Sequence, residues 1–269
     1  MNQTESPLRN RPAAHPATAE SGKNLITIAS GKGGVGKTVL AVSLSHALAK
    51  LGNKVLLFDG DVGLANVDIQ LGLMPQMDLA TVMTGGKSLA DVVFRYPEGG
   101  FDIIAGRSSS GVLGTMAAAQ LKRLHQDLVE VGAAYDYVIL DLGAGIDEAV
   151  RTLSAGSGPK LVVTTGDPTS LTDAYAYIKV MTQRSQHGNI QVLVNMAKSK
   201  AEGQKIYDNL LKACRNFLHI EPPLAGIIEM DDKVAGAIRA QTGLMTRYPT
   251  STAANNVEDL AKTIMKGAA

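Results

Sequence analysis

The sequence predicts an α/β fold in which a mostly parallel, twisted sheet carries helices on both faces. Two observations support this prediction. Short apolar runs alternate with longer stretches of helical spacing, and a glycine-rich loop lies between the first apolar run and the first helix. Parallel strands need long crossover connections, usually helices, so this alternation is typical of a parallel sheet that is covered on both sides.

Seven apolar runs have the length of buried strands. They lie at residues 25–29, 54–59, 101–105, 137–141, 161–164, 190–195 and 224–228. The helix after the glycine-rich loop keeps its apolar residues at helical spacing until Gly52, which ends it. Further helices are predicted at residues 117–131, 147–156, 170–186, 202–217, 232–240 and 251–266.

The first 23 residues differ from the rest of the chain. Pro7, Pro12 and Pro16 interrupt a run of small and polar residues that carries few large apolar side chains. Such a segment buries too little surface to offset its loss of conformational entropy, so we expect residues 1–23 to be a disordered tail. From residue 24 onward there is no repeat and no linker, and we expect residues 24–269 to form a single domain.

Composition narrows the classes of function. The chain has 269 residues and a formal net charge of +1, so no global field draws it onto nucleic acid or anionic lipid. Its one cysteine, Cys214, cannot form an intramolecular disulfide or a cysteine-based metal cage. Because no apolar stretch has the length of a membrane span and no secretory signal is visible, we expect a cytoplasmic protein.

The strongest motif is the glycine-rich loop Gly31-Lys32-Gly33-Gly34-Val35-Gly36-Lys37-Thr38, which matches G-x-x-x-x-G-K-[ST]. Its glycines let backbone N–H groups turn inward around phosphate oxygens, and the following helix adds the positive end of its dipole. Lys37 can reach the terminal phosphates of a nucleotide, and the hydroxyl of Thr38 can ligate Mg²⁺. The sequence therefore predicts a P-loop NTPase fold that binds ATP or ADP with Mg²⁺. The predicted nucleotide-binding residues of this segment are Gly33, Gly34, Val35, Gly36, Lys37, Thr38 and Val39.

Acidic residues end two of the apolar runs. Asp59 and Asp61 follow the second run, and Asp141 ends the run at 137–141 in the pattern of a Walker B acid. In an open α/β sheet, ligands gather at the carboxyl ends of the strands, so these carboxylates face the phosphates. We expect Asp141 to hold Mg²⁺ through a water molecule. Asp59 either faces the phosphates together with Asp61 or is a carboxylate that supports the loop after the strand.

Lys32, directly after the first glycine, gives the loop the form Lys-Gly-Gly-Val-Gly-Lys-Thr, which resembles the deviant Walker A loop of the MinD/ParA ATPases. The resemblance implies that Lys32 reaches the nucleotide of a partner subunit in an ATP-bound homodimer. It also implies that Asp61 orients the attacking water, that the backbone of Gly143 approaches the γ-phosphate, and that Asn195 contacts the adenine. The stretch 142–146 lacks the proline that many relatives carry there, and we expect it to be a flexible switch.

Three further segments resemble the FlhG/FleN branch of this group, which regulates flagellar number and placement. They lie at residues 59–68, 167–176 and 248–254. The resemblance implies an ATP-dependent dimerisation switch whose partners are an FlhF-type GTPase and flagellar basal-body proteins or transcription factors. The faint counterpart of the branch's N-terminal activating segment, at residues 2–9, is interrupted by Pro7.

Contact with a membrane surface at the inner membrane or cell pole is a weaker expectation. Relatives that bind membranes end in a basic amphipathic helix, whereas the last helix here offers only Lys262 and Lys266 to lipid. Its apolar residues are expected to pack against the domain. They are Val257, Leu260, Ala261, Ile264 and Met265.

Other classes of function compete with the flagellar switch. A ParA-type or MinD-type ATPase could position DNA or the division site, but the basic residues that favour DNA are few, and DNA is not an expected partner. They are Lys198, Lys200, Lys205, Lys212 and Arg215. A metal-cluster scaffold of the related Mrp type disagrees with the single cysteine. An ATP sensor with negligible turnover would differ from a hydrolase in its response to Asp61→Ala.

Overall fold

The computed structural model describes residues 22–61, 66–106, 116–156, 158–183 and 189–267. These residues form one sheet of eight strands with helices on both sides. The strands are β1 (Leu25–Ser30), β2 (Val55–Gly60), β3 (Phe94–Tyr96), β4 (Phe101–Ile104), β5 (Tyr137–Ala144), β6 (Lys160–Thr164), β7 (Ile190–Ala197) and β8 (Leu224–Glu229).

Most of the helices lie between successive strands, and the last three follow β8. They are α1 (Lys37–Lys50), α2 (Val67–Leu71), α3 (Leu79–Met83), α4 (Ala118–Gly132), α5 (Glu148–Leu153), α6 (Pro168–Gln183), α7 (Lys200–Leu218), α8 (Asp232–Arg239), α9 (Leu244–Arg247) and α10 (Thr252–Gly267). A 3₁₀ turn, Ala90–Val92, precedes β3.

The strand order is β3-β4-β2-β5-β1-β6-β7-β8. Only β3 and β4 are antiparallel, and every other neighbouring pair is parallel. β1 therefore lies between β5 and β6, and β5 separates it from β2. The chain first builds the side of the sheet that holds β2 to β5 and then crosses β1 to build the side that holds β6 to β8. The carboxyl end of β1 is therefore a topological switch point, where ligands bind in open α/β sheets.

The core consists of two apolar layers, one on each face of the sheet. One layer contains Phe58, Leu140 and Tyr177 and is covered by α4, α5, α6 and α7. The other contains Leu44 and Ile139 and is covered chiefly by α1 and α10. Strands that are buried on both faces explain why the apolar runs in the sequence are continuous and do not alternate. The predicted α/β fold with helices on both faces is confirmed.

Three features of the fold differ from the sequence-based expectation. β3 was not predicted, because three residues are too few to show a period, and it pairs antiparallel to β4 after a turn that ends at Gly100. The short helices α2, α3 and α9 were also missed. β5 continues through Gly143 to Ala144, so the first part of the predicted flexible stretch at 142–146 is regular strand, paired with Gly60 and Ser30.

Two predictions concern the ends of the described chain: a disordered tail at residues 1–23 and a last helix that packs its apolar face against the domain. The predicted tail lies outside the described residues except for its last two, which belong to a turn closed by the bond from the Leu25 N–H to the Gly22 carbonyl, 3.1 Å. At the other end, the apolar face of α10 packs on α1 and β8, and Val257, Leu260 and Ala261 are buried. The apolar side chains of α10 are thus used inside the fold. Among the described helices none is long and apolar enough to cross a membrane.

Candidate functional site

Four parallel strands, β1, β2, β5 and β7, bring the candidate residues to one edge of the sheet. The glycine-rich loop follows β1, Asp59 and Asp61 lie at the end of β2, and Asp141 and Gly143 lie in the last part of β5. Asn195 lies near the end of β7. The register pairs Asp59 directly with Asp141, so these two side chains point to the same face of the sheet from neighbouring strands.

The glycine-rich loop wraps around the start of α1. Gly34 and Gly36 have φ values of +79° and +87°, in the left-handed region that favours glycine. Gly36 precedes α1, and no side chain caps the helix N-terminus. The first N–H groups of α1 therefore point into the loop as donors, the arrangement by which helix N-termini bind anions.

Neighbouring residues approach the loop so closely at two positions that only glycine fits there. A Cβ on Gly31 would lie 2.2 Å from the backbone oxygen of Asp173 in α6, and a Cβ on Gly36 would lie 2.6 Å from Nδ2 of Asn195. By contrast, a Cβ on Gly33 or Gly34 would meet nothing within 4 Å. The loop is thus held between α6 and β7, and its middle glycines face open space.

A cavity of about 890 Å³ opens beside this loop. Its size lies in the range of sites for small ligands and cofactors. Nine of the predicted site residues line it: Gly33, Gly34, Gly36, Lys37, Thr38, Val39, Asp61, Gly143 and Asn195. Three others do not line the cavity: Val35 has a buried side chain, Asp141 lies beneath its floor, and Lys32 is turned away from it.

Lys37 lines the cavity, and the buried carboxylate of Asp141 interacts with it electrostatically from outside the lining. Lys37 is only 7% exposed, and burial lowers the pKa of its ammonium group, whereas the nearby charges of Asp141 and Asp61 act to raise it. Burial raises the pKa of Asp141 to about 6, against the opposing effects of Thr38 and Lys37. Neither carboxylate oxygen of Asp141 accepts a hydrogen bond of ordinary geometry. Buried polar atoms of this kind are uncommon and indicate a missing polar or charged partner.

Asp59 supports the chain between the second strand and α2. Its two oxygens accept hydrogen bonds from the Val67 N–H, at 3.1 Å, and the Asp61 N–H, at 3.4 Å. Burial, together with the charge of Asp141, raises the pKa of Asp59 to about 8. Of the two alternatives that the sequence left open, this geometry favours a loop-supporting role for Asp59, while Asp61 lines the cavity.

Lys32 makes its contacts within its own chain. Its Nζ lies 2.8 Å from Oδ2 of Asp167 and also donates to the hydroxyl of Thr169 at the start of α6. The sequence did not predict these contacts. The partners lie 135 and 137 residues away in the chain, a separation that no local pattern reveals.

The far end of the cavity is more apolar. Asn195 donates from Nδ2 to the Val35 carbonyl at 2.8 Å, so one of its amide protons braces the loop. All four residues of the segment 228–231, which spans the end of β8, line this part of the cavity. The sequence did not identify the apolar residues beside them, because they come from separate elements: Met196, Ile238 and Leu244.

Two of the five basic residues that would favour DNA binding make contacts inside the fold. Lys200 donates to the Ile227 carbonyl at 2.5 Å, and Arg215 forms a two-bond pair with Glu221 at 2.7 and 2.9 Å. These two of the five basic residues are therefore partly neutralised or oriented by the chain itself.

The donor set can be tested against a magnesium ion. Among the residues that the structure describes, no group of three or more His, Cys, Asp or Glu side chains could enclose a metal. One buried carboxylate, Asp141, whose oxygens accept no hydrogen bond of ordinary geometry and which interacts with the hydroxyl of Thr38, instead suits Mg²⁺. This ion binds proteins through one or two carboxylates and takes its other ligands from phosphates and water. The residues present fit that ion.

The loop, the helix N-terminus and the cavity define a nucleotide-binding protein of the P-loop class. In agreement, residues 26–243 match the family model described as the CobQ/CobB/MinD/ParA nucleotide binding domain, and the chain belongs to that family. The assignment to the MinD/ParA ATPases, made from the sequence, is confirmed.

Two curated relatives and one solved structure illustrate the relationship. The chain is 37% identical to the antiactivator FleN of Pseudomonas aeruginosa over 229 residues, which cover 85% of this chain and 81% of FleN. It is 30% identical to the flagellum site-determining protein YlxH of Helicobacter pylori over 237 residues, covering 88% and 80% of the two chains. The MinD protein of Pyrococcus horikoshii, solved with Mg-ADP, shares the fold with a TM-score of 0.74, 24% identity and coverage of 91% and 97%.

Proposed function

We propose that this protein is a Mg²⁺-dependent ATPase whose ATP-driven homodimerisation regulates the number or placement of flagella. The observation that carries the proposal is the cavity that collects Lys37, Thr38, Asp61 and Gly143 beside the helix N-terminus of α1. Similarity to FleN and YlxH over more than four-fifths of the chain supports the flagellar assignment.

Each residue of the site has a separate task in phosphoryl transfer. The loop N–H groups and Lys37 bind the phosphates and neutralise their charge, which is most of what this reaction requires of a protein. Thr38 and Asp141 would hold Mg²⁺, which supplies charge stabilisation when bound. Asp61 lines the cavity, where its carboxylate can orient a water molecule, and the N–H of Gly143 can approach the terminal phosphate. Asn195 and Val39 complete the predicted nucleotide contacts.

Dimerisation is assigned to Lys32. Its side chain is turned away from its own cavity and is 39% exposed, so it lies at the surface, where a partner's nucleotide can approach it. We further propose that residues 24–269 act as one cytoplasmic domain, with ATP or ADP as its ligand. Its partners would be an FlhF-type GTPase and flagellar basal-body proteins or transcription factors.

Light scattering during titration with Mg-ATP tests the switch. The wild type is expected to double its mass. Lys37→Ala should stay monomeric because it no longer binds the phosphates of ATP, and Lys32→Ala should bind ATP without dimerising. Asp61→Ala should dimerise but release no phosphate. Lys262→Ala, a surface lysine on α10 that is 53% exposed, is the matched control and should behave as the wild type. Normal dimerisation by Lys32→Ala would contradict the proposed role of this lysine.

Counting flagella by electron microscopy tests the cellular role. Deletion of the gene is expected to give extra or misplaced flagella, with rescue by the wild type and not by Lys37→Ala. Normal flagella with lost chromosomes or misplaced septa would keep the ATPase switch and transfer its role to DNA partition or division.

A further inference from the structure

The two lysines of the glycine-rich loop point in opposite directions. Lys37 lines the cavity and is 7% exposed, whereas Lys32 leaves the loop on the other side and contacts the start of α6. There its Nζ binds Oδ2 of Asp167 at 2.8 Å and the hydroxyl of Thr169. The same ammonium group is the one assigned above to the nucleotide of a partner subunit.

The two acceptors are arranged before Lys32 reaches them. The other oxygen of Asp167 accepts from the Thr169 N–H at 2.9 Å and from the Thr169 hydroxyl at 3.0 Å. The hydroxyl proton of Thr169 is thereby directed at Asp167, which leaves the hydroxyl oxygen to accept from Lys32. Hydrogen bonds from Lys32 and Thr169 hold the pKa of Asp167 down at about 2, so the carboxylate is charged throughout the physiological range.

The backbone fixes the distance between the loop and these acceptors. Gly31 is packed so closely on α6 that a Cβ would lie 2.2 Å from the Asp173 oxygen. The loop residue before Lys32 thus packs directly on α6, which Asp167 immediately precedes and whose first turn contains Thr169. Lys32 therefore has two preformed acceptors within reach whenever the loop keeps this position.

We propose that Asp167 and Thr169 form a latch that holds Lys32 and sets the ATP concentration at which the protein dimerises. Contact with a partner's phosphates competes with this latch, because Asp167 and Thr169 occupy two of the three N–H donors of Lys32 and hold its ammonium group at α6. Dimerisation then requires the exchange of one carboxylate and one hydroxyl for phosphate oxygens. The proposal rests on the role assigned to Lys32 under the proposed function.

Asp167→Asn is the main test, because asparagine keeps the oxygen that accepts from the Thr169 N–H and removes only the charge that holds Lys32. Exposed ion pairs change equilibria by roughly fivefold at most, so we expect half-maximal dimerisation at an ATP concentration about two- to fivefold lower than for the wild type. Thr169→Val should shift it in the same direction by a smaller factor. Asp173→Asn is the matched control, since it removes a charge from the same helix while the Lys32–Asp167 pair stays intact, and it should leave the midpoint unchanged.

A second measurement reads the latch directly. In a carboxyl NMR titration, the pKa of Asp167 is expected to rise from about 2 toward 3.8 in Lys32→Ala. A carboxyl pKa that does not respond to Lys32→Ala would overturn the latch, as would an Asp167→Asn midpoint equal to or above that of the wild type. An equal shift in Asp173→Asn would also overturn it, by showing a general effect of charge.

The dimerisation measurements separate the proposed function from the latch. If the wild type does not dimerise with Mg-ATP, or if Lys32→Ala dimerises normally, the proposed function fails. If both of those results are as expected and Asp167→Asn does not dimerise more readily, the latch alone fails.

Discussion

Replacement of Asp141 by asparagine is expected to stabilise the protein in the absence of nucleotide while removing its response to Mg-ATP. The side chain is 1% exposed, and neither of its oxygens accepts a hydrogen bond of ordinary geometry. Its pKa is raised from 3.8 to about 6, chiefly by burial. Because one pKa unit corresponds to about 1.4 kcal/mol, ionised Asp141 destabilises the folded chain at pH 8 by about 3 kcal/mol.

The pH dependence of stability follows from the direction in which the pKa of Asp141 is shifted, which is upward. Since the pKa of the folded chain lies above that of the unfolded chain, the folded state binds more protons between pH 3.8 and 6. Stability is therefore lost as the pH rises through this window and stays low above it. The gain from Asp141→Asn should be largest at pH 8 and should shrink toward pH 4. The neighbouring Asp59 adds to the gain at pH 8, because its own pKa is raised in part by the charge of Asp141.

Urea unfolding at pH 8 and pH 4.5, with and without Mg-ATP, measures the gain in stability, its pH dependence and the response to Mg-ATP. Without nucleotide at pH 8, Asp141→Asn should unfold at a higher urea concentration than the wild type, by about 1–3 kcal/mol once the cost of burying an amide is included. With Mg-ATP, only the wild type should gain stability. Asp259→Asn, at a carboxylate that is 72% exposed, is the control and should change neither. An Asp141→Asn midpoint at or below that of the wild type at pH 8 would refute the reasoning.

Three further substitutions probe the loop and the core. Gly36→Ala should lower the free energy of unfolding by about 1–3 kcal/mol and abolish nucleotide binding, because φ is +87° and Asn195 leaves no space for a side chain. Gly33→Ala is the control and should leave stability unchanged. Thermal unfolding and titration with a fluorescent nucleotide compare the two variants. Asn195→Ala should cost about 1 kcal/mol in urea unfolding, since the Val35 carbonyl loses its 2.8 Å bond, and an unchanged midpoint would show that water replaces the amide. Leu260→Ala should lower the free energy of unfolding by about 2–5 kcal/mol in the same assay, because the side chain is 2% exposed between α10 and the sheet. A loss below about 1 kcal/mol would mean that the apolar face of α10 is not needed for the fold.

The sequence predicted the fold class and the nucleotide loop because both depend on local patterns. Continuous apolar runs marked all but one of the strands, and the eight-residue motif identified the loop that lies beside the cavity. The order of the strands is not a local property. That β5 lies between β2 and β1, which places Asp59 beside Asp141, follows only from packing of the whole sheet.

Long-range contacts were the least predictable part of the site. The sequence assigned Lys32 to a partner subunit by resemblance and gave no sign of its contacts with Asp167 and Thr169, although the segment 167–176 was already singled out for another reason. The bond from Asn195 to the loop carbonyl likewise joins residues 160 positions apart. Motifs specify which chemistry is available, whereas the partners of each side chain depend on how distant elements pack.

The seating of the glycine-rich loop between α6 and Asn195 has a thermodynamic consequence. Because Gly31 and Gly36 have no room to shift against their neighbours, the N–H groups of the loop are oriented by the fold before any ligand arrives. Binding then loses little backbone entropy in the loop, and preorganised donors of this kind favour affinity over conformational response. The loop acts as a rigid receptor, and the signal that a nucleotide is present must be carried by side chains that can exchange partners.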